Sequence, residues 1–465
     1  MDRSYLSKLG VKTFSQLLIA PVGLLTVPLY TTYLSKEEYG LYGMFFTLIN
    51  FIQPFVGLGL GTAFSKNYYK IDSLQHKQAS YYSVFYFRLL TGLLLIPFVF
   101  LLRNWLIANF FLENIEIFYA LLVCLVILPI EPIQNRFFRS SGRVNLLSIL
   151  LVLEAYLYLA LAYLVLTHLG SITSLIIVLA IARILRIFLV QLYISKIIGF
   201  ALSWDNSLLA SFIKFGVITV PFSIGIWIID LSDRFFIGSY LDMANLGFYQ
   251  VANSLVFIPK FISGILGVIL FEQYSKLMQK NRESAARKVI SDSANILFHC
   301  FIWITILLLF EGRAVLSFIS SDDYAEAAFL PMLILVTGTF VFGIFGIMAQ
   351  VLVYSGQKKE LLGIWNLGFV VNLIFNMIFI TRYGIIVCAI STLLAYILAL
   401  KSLVSSLKSR KLYIPRLIYK FDSADLILLI IMLLIYSMNF TLIIFVMLNF
   451  IIGIMLLLKL RKIIA

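Results

Sequence analysis

The chain has 465 residues, 62% of them hydrophobic and 12% charged, against roughly 45–50% apolar and 25% charged in soluble domains. No water-soluble fold could hide that much apolar surface, and with about 20 residues per span the length allows some fifteen membrane crossings at most, which excludes a large soluble domain. The formal net charge of +14 is spread over many loops, so it lacks the single basic face that nucleic-acid binding needs.

In chain order, apolar windows of spanning length fall near residues 12–33, 41–62, 81–102, 116–134, 145–166, 172–195, 209–230 and 245–271. Six more follow near 294–310, 329–354, 361–380, 384–404, 424–438 and 440–458. The pattern predicts an all-α polytopic membrane protein of about fourteen transmembrane helices. The first window contains Pro21 and Pro28 and is followed by no small-residue cleavage motif, so it is expected to be a retained span. The last two windows are separated by a polar turn around Ser437 and Asn439. Together they are too long for one crossing, so they are expected to form a hairpin.

Alternate connections carry the bases. They hold Arg3, Lys8 and Lys12; Lys66, Lys70 and Lys77; Arg136, Arg139 and Arg143; Lys196 and Lys214; Lys276 to Lys288; Lys358 and Lys359; Lys401 to Lys420; and Lys459 to Lys462. The intervening connections are short and acidic, with Glu37, Glu38, Glu113, Glu116, Asp242, Asp322, Asp323 and Glu326. The positive-inside rule then places the basic loops and both termini in the cytoplasm.

The segment YLSKEEYGLYG from Tyr33 lines up with YLDMANLGFYQ from Tyr240 at an offset of 207, pairing Gly40 with Gly247 and Tyr42 with Tyr249. A second pair, LTHLGSI from Leu166 and ITRYGII from Ile380, has an offset of 214. An offset of six helices preserves orientation, which is the signature of parallel repeats about the membrane normal. The expected organisation is an N-terminal lobe over 1–200, a C-terminal lobe over 201–420 and a C-terminal hairpin over 421–465.

These same stretches carry a resemblance. YLSKEEYGLYG with GLGLGTAFSK after it, FGVITVPFSIGIWIIDLSDRFFIGSYLDMANLGFY at the start of the second lobe, and VYSGQKK followed by NLIFNMIFITRYGI resemble the polysaccharide (O-antigen, capsule and related) flippases. That family belongs to the multidrug/oligosaccharidyl-lipid/polysaccharide exporter superfamily. The likeness covers roughly residues 5 to 405. It implies a bacterial inner-membrane transporter that moves undecaprenyl-diphosphate-linked oligosaccharide to the outer leaflet by alternating access. It also implies membrane lipids and other polysaccharide-assembly proteins as partners, and no nucleic acid. Members often have twelve spans, and the additional pair here looks more like the fourteen-span branch that includes peptidoglycan-precursor flippases.

Four bases belong to no loop: Arg88, Arg183, Arg186 and Lys260. A charge at the centre of a membrane helix costs about 2.5–3.5 kcal/mol on insertion scales, so each needs a partner or water. Arg183 and Arg186 are three apart and share a helix face. The repeat sets Lys260 opposite Gln53. Guanidinium forks suit diphosphate oxygens, so Arg183, Arg186, Lys260 and Arg88 are candidate substrate contacts, joined by the amides Asn50, Gln53 and Asn253. For Arg88, only about two turns into its window, snorkelling towards the interface is a competing explanation. Glu154 is both the expected partner of the arginine pair and a candidate proton-coupling carboxylate. Glu131 is expected to pair with Arg136, and Asp230, Asp233 and Arg234 to form an interfacial salt bridge at the end of span 7. Asn372 and Asn376 share a face, for contact with substrate or between helices.

Cys124, Cys300 and Cys388 all lie in apolar runs and suggest neither disulfide nor metal. No phosphate loop of the GxxxxGK form occurs, nor HExxH, nor a Ser-His-Asp arrangement. The expectation is a transporter without cofactor, not an enzyme. Two alternatives stand beside it: a cation-coupled multidrug exporter, which would favour acidic residues in the lobes, and a polysaccharide polymerase or ligase, which would need a long outer loop.

Overall fold

The computed structural model describes residues 3–68, 73–217, 220–355 and 357–412. The hairpin expected over 421–465 lies outside the described residues. Among these residues every regular element is helical. The helices are α1 (Arg3–Tyr33), α2 (Lys36–Gly57), α3 (Leu60–Tyr68), α4 (Leu74–Leu101), α5 (Arg103–Phe110) and α6 (Ile115–Ile127). After a 3₁₀ turn at Leu128–Ile130 come α7 (Glu131–Ser140), α8 (Val144–Leu169), α9 (Ile172–Ile198), α10 (Asn206–Gly216), α11 (Val220–Tyr240) and α12 (Met243–Ser254). The chain continues with α13 (Phe257–Gln279), α14 (Glu283–Ile319), α15 (Asp322–Tyr354), α16 (Lys358–Ile364), α17 (Asn366–Tyr383) and α18 (Ile385–Ser409). Ten helical segments of the described residues are long and apolar enough to cross a membrane, with α6, the 3₁₀ turn and α7 acting as one.

The expected seventh span is built differently from its window. Helix α10 stops at Gly216, and α11 starts at Val220 and runs to Tyr240, well past the expected end at residue 230. Asp230, Asp233 and Arg234 therefore lie inside a helix and not at its edge. Asp233 and Arg234 are buried, and Arg234 donates to the Asp230 carbonyl at 3.0 Å.

Local chemistry sets many helix ends. Ser35 and Glu38 form a reciprocal capping box at the start of α2: Ser35 Oγ accepts from the Glu38 amide at 3.2 Å, and the Ser35 amide donates to Glu38 Oε2 at 2.9 Å. Asn114 caps α6 and Ser73 caps α4 in the same N-terminal manner. Asp205 caps α10, and the Leu208 amide and Ser207 donors hold its carboxyl below the usual carboxylate range. Between α2 and α3 the chain turns through two left-handed residues, Leu58 (φ 41°) and Gly59 (φ 68°).

The chain divides into two compact units, Met1–Gly247 and the part from Phe248 onward. In the first, α1 packs on α8, α2 on α11, α4 on α6, α3 on α10, and α9 on both α6 and α8. At the start of α2 a reciprocal contact appears. A Cβ added to Gly40 would collide with the Met243 carbonyl oxygen, and one added to Gly247 would collide with the Lys36 carbonyl oxygen. Lys36 and Met243 are themselves partners at the offset of 207, so the contact exchanges with itself under the sequence repeat.

In the second unit α15 packs against α13, α14 and α18, and α17 against α18. Asn372 and Asn376 are fully buried and used between helices: Asn372 donates to Ser391 and Thr392 at 3.1 and 3.3 Å, and Ser391 donates to Asn376 at 2.8 Å. Replacing Asn376 with Leu should destabilise the protein by about 0.6–1.7 kcal/mol, the range for interhelical hydrogen bonds in membranes. The measurement is the thermal midpoint of the purified protein in detergent. An unchanged midpoint would show that this network contributes no stability.

Candidate functional site

The fourth span does not run straight. Pro129 and Pro132 cannot donate to the helix ladder, and the chain passes through the 3₁₀ turn between α6 and α7. That break puts Glu131 on the first turn of α7, inside the membrane-spanning region and facing α9.

Arg183 and Arg186 on α9 meet it there. Arg183 Nε donates to Glu131 Oε2 at 2.9 Å. Arg186 Nη1 stands 3.4 Å from Glu131 Oε1, and its Nε 3.5 Å from Glu154 Oε2 on α8. Those two approaches lack hydrogen-bond alignment. The hydrogen bond of Arg186 goes instead to Asn135 Oδ1 at 3.2 Å. Asn135 in turn donates to Glu131 at 3.4 Å, and the Tyr158 hydroxyl donates to Glu154 at 2.9 Å. Tyr42, hydrogen-bonded to Tyr30 at 3.4 Å, lies within electrostatic reach of Arg183.

Two arginines and two glutamates thus form a network without net charge when all four are ionised. The side chains of Arg186, Glu154 and Glu131 are 11–13% exposed, whereas that of Arg183 is 31% exposed. Arg183 is therefore the member that another anion could reach. The expected partnership of Glu131 with Arg136 is corrected: Glu131 binds both α9 arginines. Glu154 does pair with Arg186, as expected. Asn135 and Tyr158 were not foreseen, although each sits four residues after a glutamate, at Glu131 and Glu154, and so on the same helix face.

Arg88 is placed elsewhere. Its α4 begins at Leu74, so the residue lies about four turns into the helix at 3.6 residues per turn. It does not snorkel. It is 6% exposed and donates through Nη1 to the Pro129 carbonyl at 2.5 Å. Asn50 and Gln53 lie on α2, where Asn50 Nδ2 donates to the Phe46 carbonyl of its own helix at 2.8 Å. Lys260 and Asn253 belong to the second unit, Lys260 exposed on the first turn of α13 and Asn253 half-buried on α12. The structure gathers Arg183, Arg186 and Glu154 into one network, while Arg88 bonds instead to the Pro129 carbonyl. Among the described residues no cluster of His, Cys, Asp and Glu could hold a metal ion.

This architecture has known counterparts. A structure titled lipid II flippase MurJ, in an inward closed conformation, superimposes with a TM-score of 0.73 at 18% identity, covering 98% of this chain and 99% of that one. An inward-facing multidrug resistance MATE family transporter of the MOP superfamily matches with a TM-score of 0.62 at 14% identity, over 84% and 95% of the two chains. The Vibrio cholerae MATE transporter VcmN matches with a TM-score of 0.60 at 16% identity, over 88% and 97%. At these identities the likeness establishes the fold alone, one shared with these flippase and MATE transporter structures. No curated protein sequence matches the chain. A family model described as polysaccharide biosynthesis protein matches residues 32–329, well over half of the chain, and the chain belongs to that family.

Proposed function

We propose that the protein translocates undecaprenyl-diphosphate-linked oligosaccharide repeat units from the cytoplasmic to the outer leaflet by alternating access, for assembly of a surface polysaccharide such as O-antigen or capsule. The lobes of the proposal are residues 1–200 and 201–420, and both termini are cytoplasmic. The observation that carries it is the mid-membrane arginine pair, with Arg183 accessible and held by a carboxylate that a diphosphate can replace. The headgroup brings more negative charge than one carboxylate and offers paired oxygens to a guanidinium fork. Its arrival at Arg183 frees Glu131, which retains Arg186 and Asn135 as partners. Asn50 and Gln53 in the first unit, and Lys260 and Asn253 in the second, are proposed as further substrate contacts. Glu154 is the proposed coupling carboxylate.

The test is reconstitution. Liposomes containing the purified protein should expose a fluorescent lipid-linked oligosaccharide to an outside reagent faster than empty liposomes, and Arg183→Gln should slow this at least tenfold. Cells lacking the protein should retain lipid-linked repeat units facing the cytoplasm. Finding those units flipped but unpolymerised would exclude a flippase. The MATE-like fold and the buried carboxylates Glu131 and Glu154 favour multidrug export as a second reading. Proton-driven uptake of organic cations without lipid flipping would select it.

A further inference from the structure

The connection from α9 to α10, residues 199–205, has no regular secondary structure and lies along α4. The Tyr86 hydroxyl donates to the Ala201 carbonyl at 3.2 Å, and the Ser83 hydroxyl to the Ser203 carbonyl at 3.5 Å. The Asp205 amide donates back to Ser83 Oγ at 2.9 Å. At the start of the segment a Cβ on Gly199 (φ 76°) would meet Gln78 Nε2 at 2.8 Å, so the glycine sits tight against α4.

Extended chain points alternate side chains the same way. Ala201, Ser203 and Asp205 are half-buried, whereas Phe200, Leu202 and Trp204 are 68%, 83% and 46% exposed. The ring of Phe200 meets that of Tyr82 edge-on at 5.8 Å, and Trp204 lies 6.4 Å from Phe87. The indole N–H of Trp204 donates to Asn206 Oδ1 at 2.7 Å, so that ring needs no water.

Two observations fix the level of this segment in the bilayer. Its contacts on α4, from Tyr82 to Phe87, fall on the first two turns of the apolar window that starts near residue 81. Backbone without helical hydrogen bonds cannot lie exposed in hydrocarbon, so the segment runs at the headgroup boundary, where tryptophan is favoured. The charges around it are Lys196, His76 and Asp205. The Asp205 carboxyl is taken up by the Ser207 and Leu208 amides and lies within reach of His76. Lys196 is exposed on the last turn of α9, and among the described residues no carboxylate pairs with it.

We propose that Phe200, Leu202 and Trp204 anchor the α9–α10 connection in the cytoplasmic leaflet, with Lys196 holding an anionic phospholipid headgroup beside them. The side of the membrane follows from the basic connections. The proposal does not depend on what the protein transports. The anchor stands at the boundary between the expected lobes, 1–200 and 201–420, so the chain enters the second from a point tied both to α4 and to the bilayer surface.

The test uses the full-length protein in liposomes and reads tryptophan fluorescence. The chain has five tryptophans, so the difference between the wild type and Trp204→Phe isolates Trp204. Phosphatidylcholine brominated near the glycerol end of its acyl chains should quench that difference roughly twofold more than the same lipid brominated near the methyl end. Brominated phosphatidylglycerol diluted into plain phosphatidylcholine should quench as strongly as brominated phosphatidylcholine at about five times the concentration, the enrichment that one lysine near a membrane surface gives. Lys196→Gln should abolish that excess, and Lys196→Arg should keep it. Equal quenching by the two lipids in the wild type, or an excess that survives Lys196→Gln, overturns the headgroup contact. Quenching by aqueous iodide and by no brominated lipid overturns the anchor, because the segment then lies in water. Quenching by neither overturns it in favour of a protein partner on this face. Should Trp204→Phe fail to fold, a bimane on Leu202→Cys gives a second reading, since Cys124, Cys300 and Cys388 are buried. Lipid spin-labelled near the headgroup should quench the bimane, and an unquenched bimane overturns the anchor.

Discussion

Replacing Glu131 with Gln should lower the stability of the protein by about 3 kcal/mol, because removing one member of a buried ion pair leaves uncompensated charge in a low-dielectric interior. Glu131 touches Arg183 and Arg186 together, whereas Glu154 touches only Arg186 among the bases. The loss from Glu131→Gln should therefore exceed that from Glu154→Gln. Arg186 keeps Glu154 and Asn135 as partners, so the uncompensated charge is that of Arg183, whose 31% exposure screens part of the penalty. The double variant Glu131→Gln with Arg183→Gln should be more stable than Glu131→Gln alone, since it removes the cation whose salt-bridge partner was Glu131 and leaves the Arg186–Glu154 pair in place. Thermal midpoints of the four proteins in detergent give the comparison. Additive losses in the double variant would show that the two residues do not interact.

The second large effect is expected at Gly40 and Gly247. At each, a new Cβ meets a backbone carbonyl, which cannot rotate away as a flexible side chain can. Either Gly→Ala substitution should cost about 1–3 kcal/mol, as overpacking does elsewhere. The combined variant should cost less than the sum of the two, since the first substitution already forces the helices apart. Gly23 and Gly346 supply the control. A Cβ there meets nothing within 4 Å, so Gly→Ala in those helices should stabilise by about 0.5–1 kcal/mol. Equal losses at all four glycines would assign the effect to the backbone in general and not to this contact.

Much of the architecture was legible because membrane helices must satisfy their backbone internally, which ties hydropathy to structure. Nine of the expected windows each fall largely within one helix, and the window at 116–134 falls within the broken α6–α7 span. Helix α14 runs from Glu283 to Ile319, much longer than the window at 294–310, because its first turns are polar and fall below the hydropathy signal. The site was harder to read. Glu131 and Arg136 are five residues apart, and five residues place side chains on different helix faces. The pairing of Glu131 with α9 depends on the break at Pro129 and on how α7 and α9 pack. Arg88 escaped for a similar reason: the room for its guanidinium comes from Gly57 and Gly61 on neighbouring elements, and its acceptor is the Pro129 carbonyl. Neither is encoded within the window that contains it.

The contact between Lys36–Gly40 and Met243–Gly247 has an evolutionary consequence. Each copy of the repeated segment presents to the other the same glycine and the same carbonyl. A duplicated gene usually lets its halves drift apart, but here a bulkier residue in either copy is rejected by its sibling. Gly40 and Gly247 are therefore expected to resist divergence between the halves, whereas the facing carbonyls are backbone and leave Lys36 and Met243 free to differ, as they do.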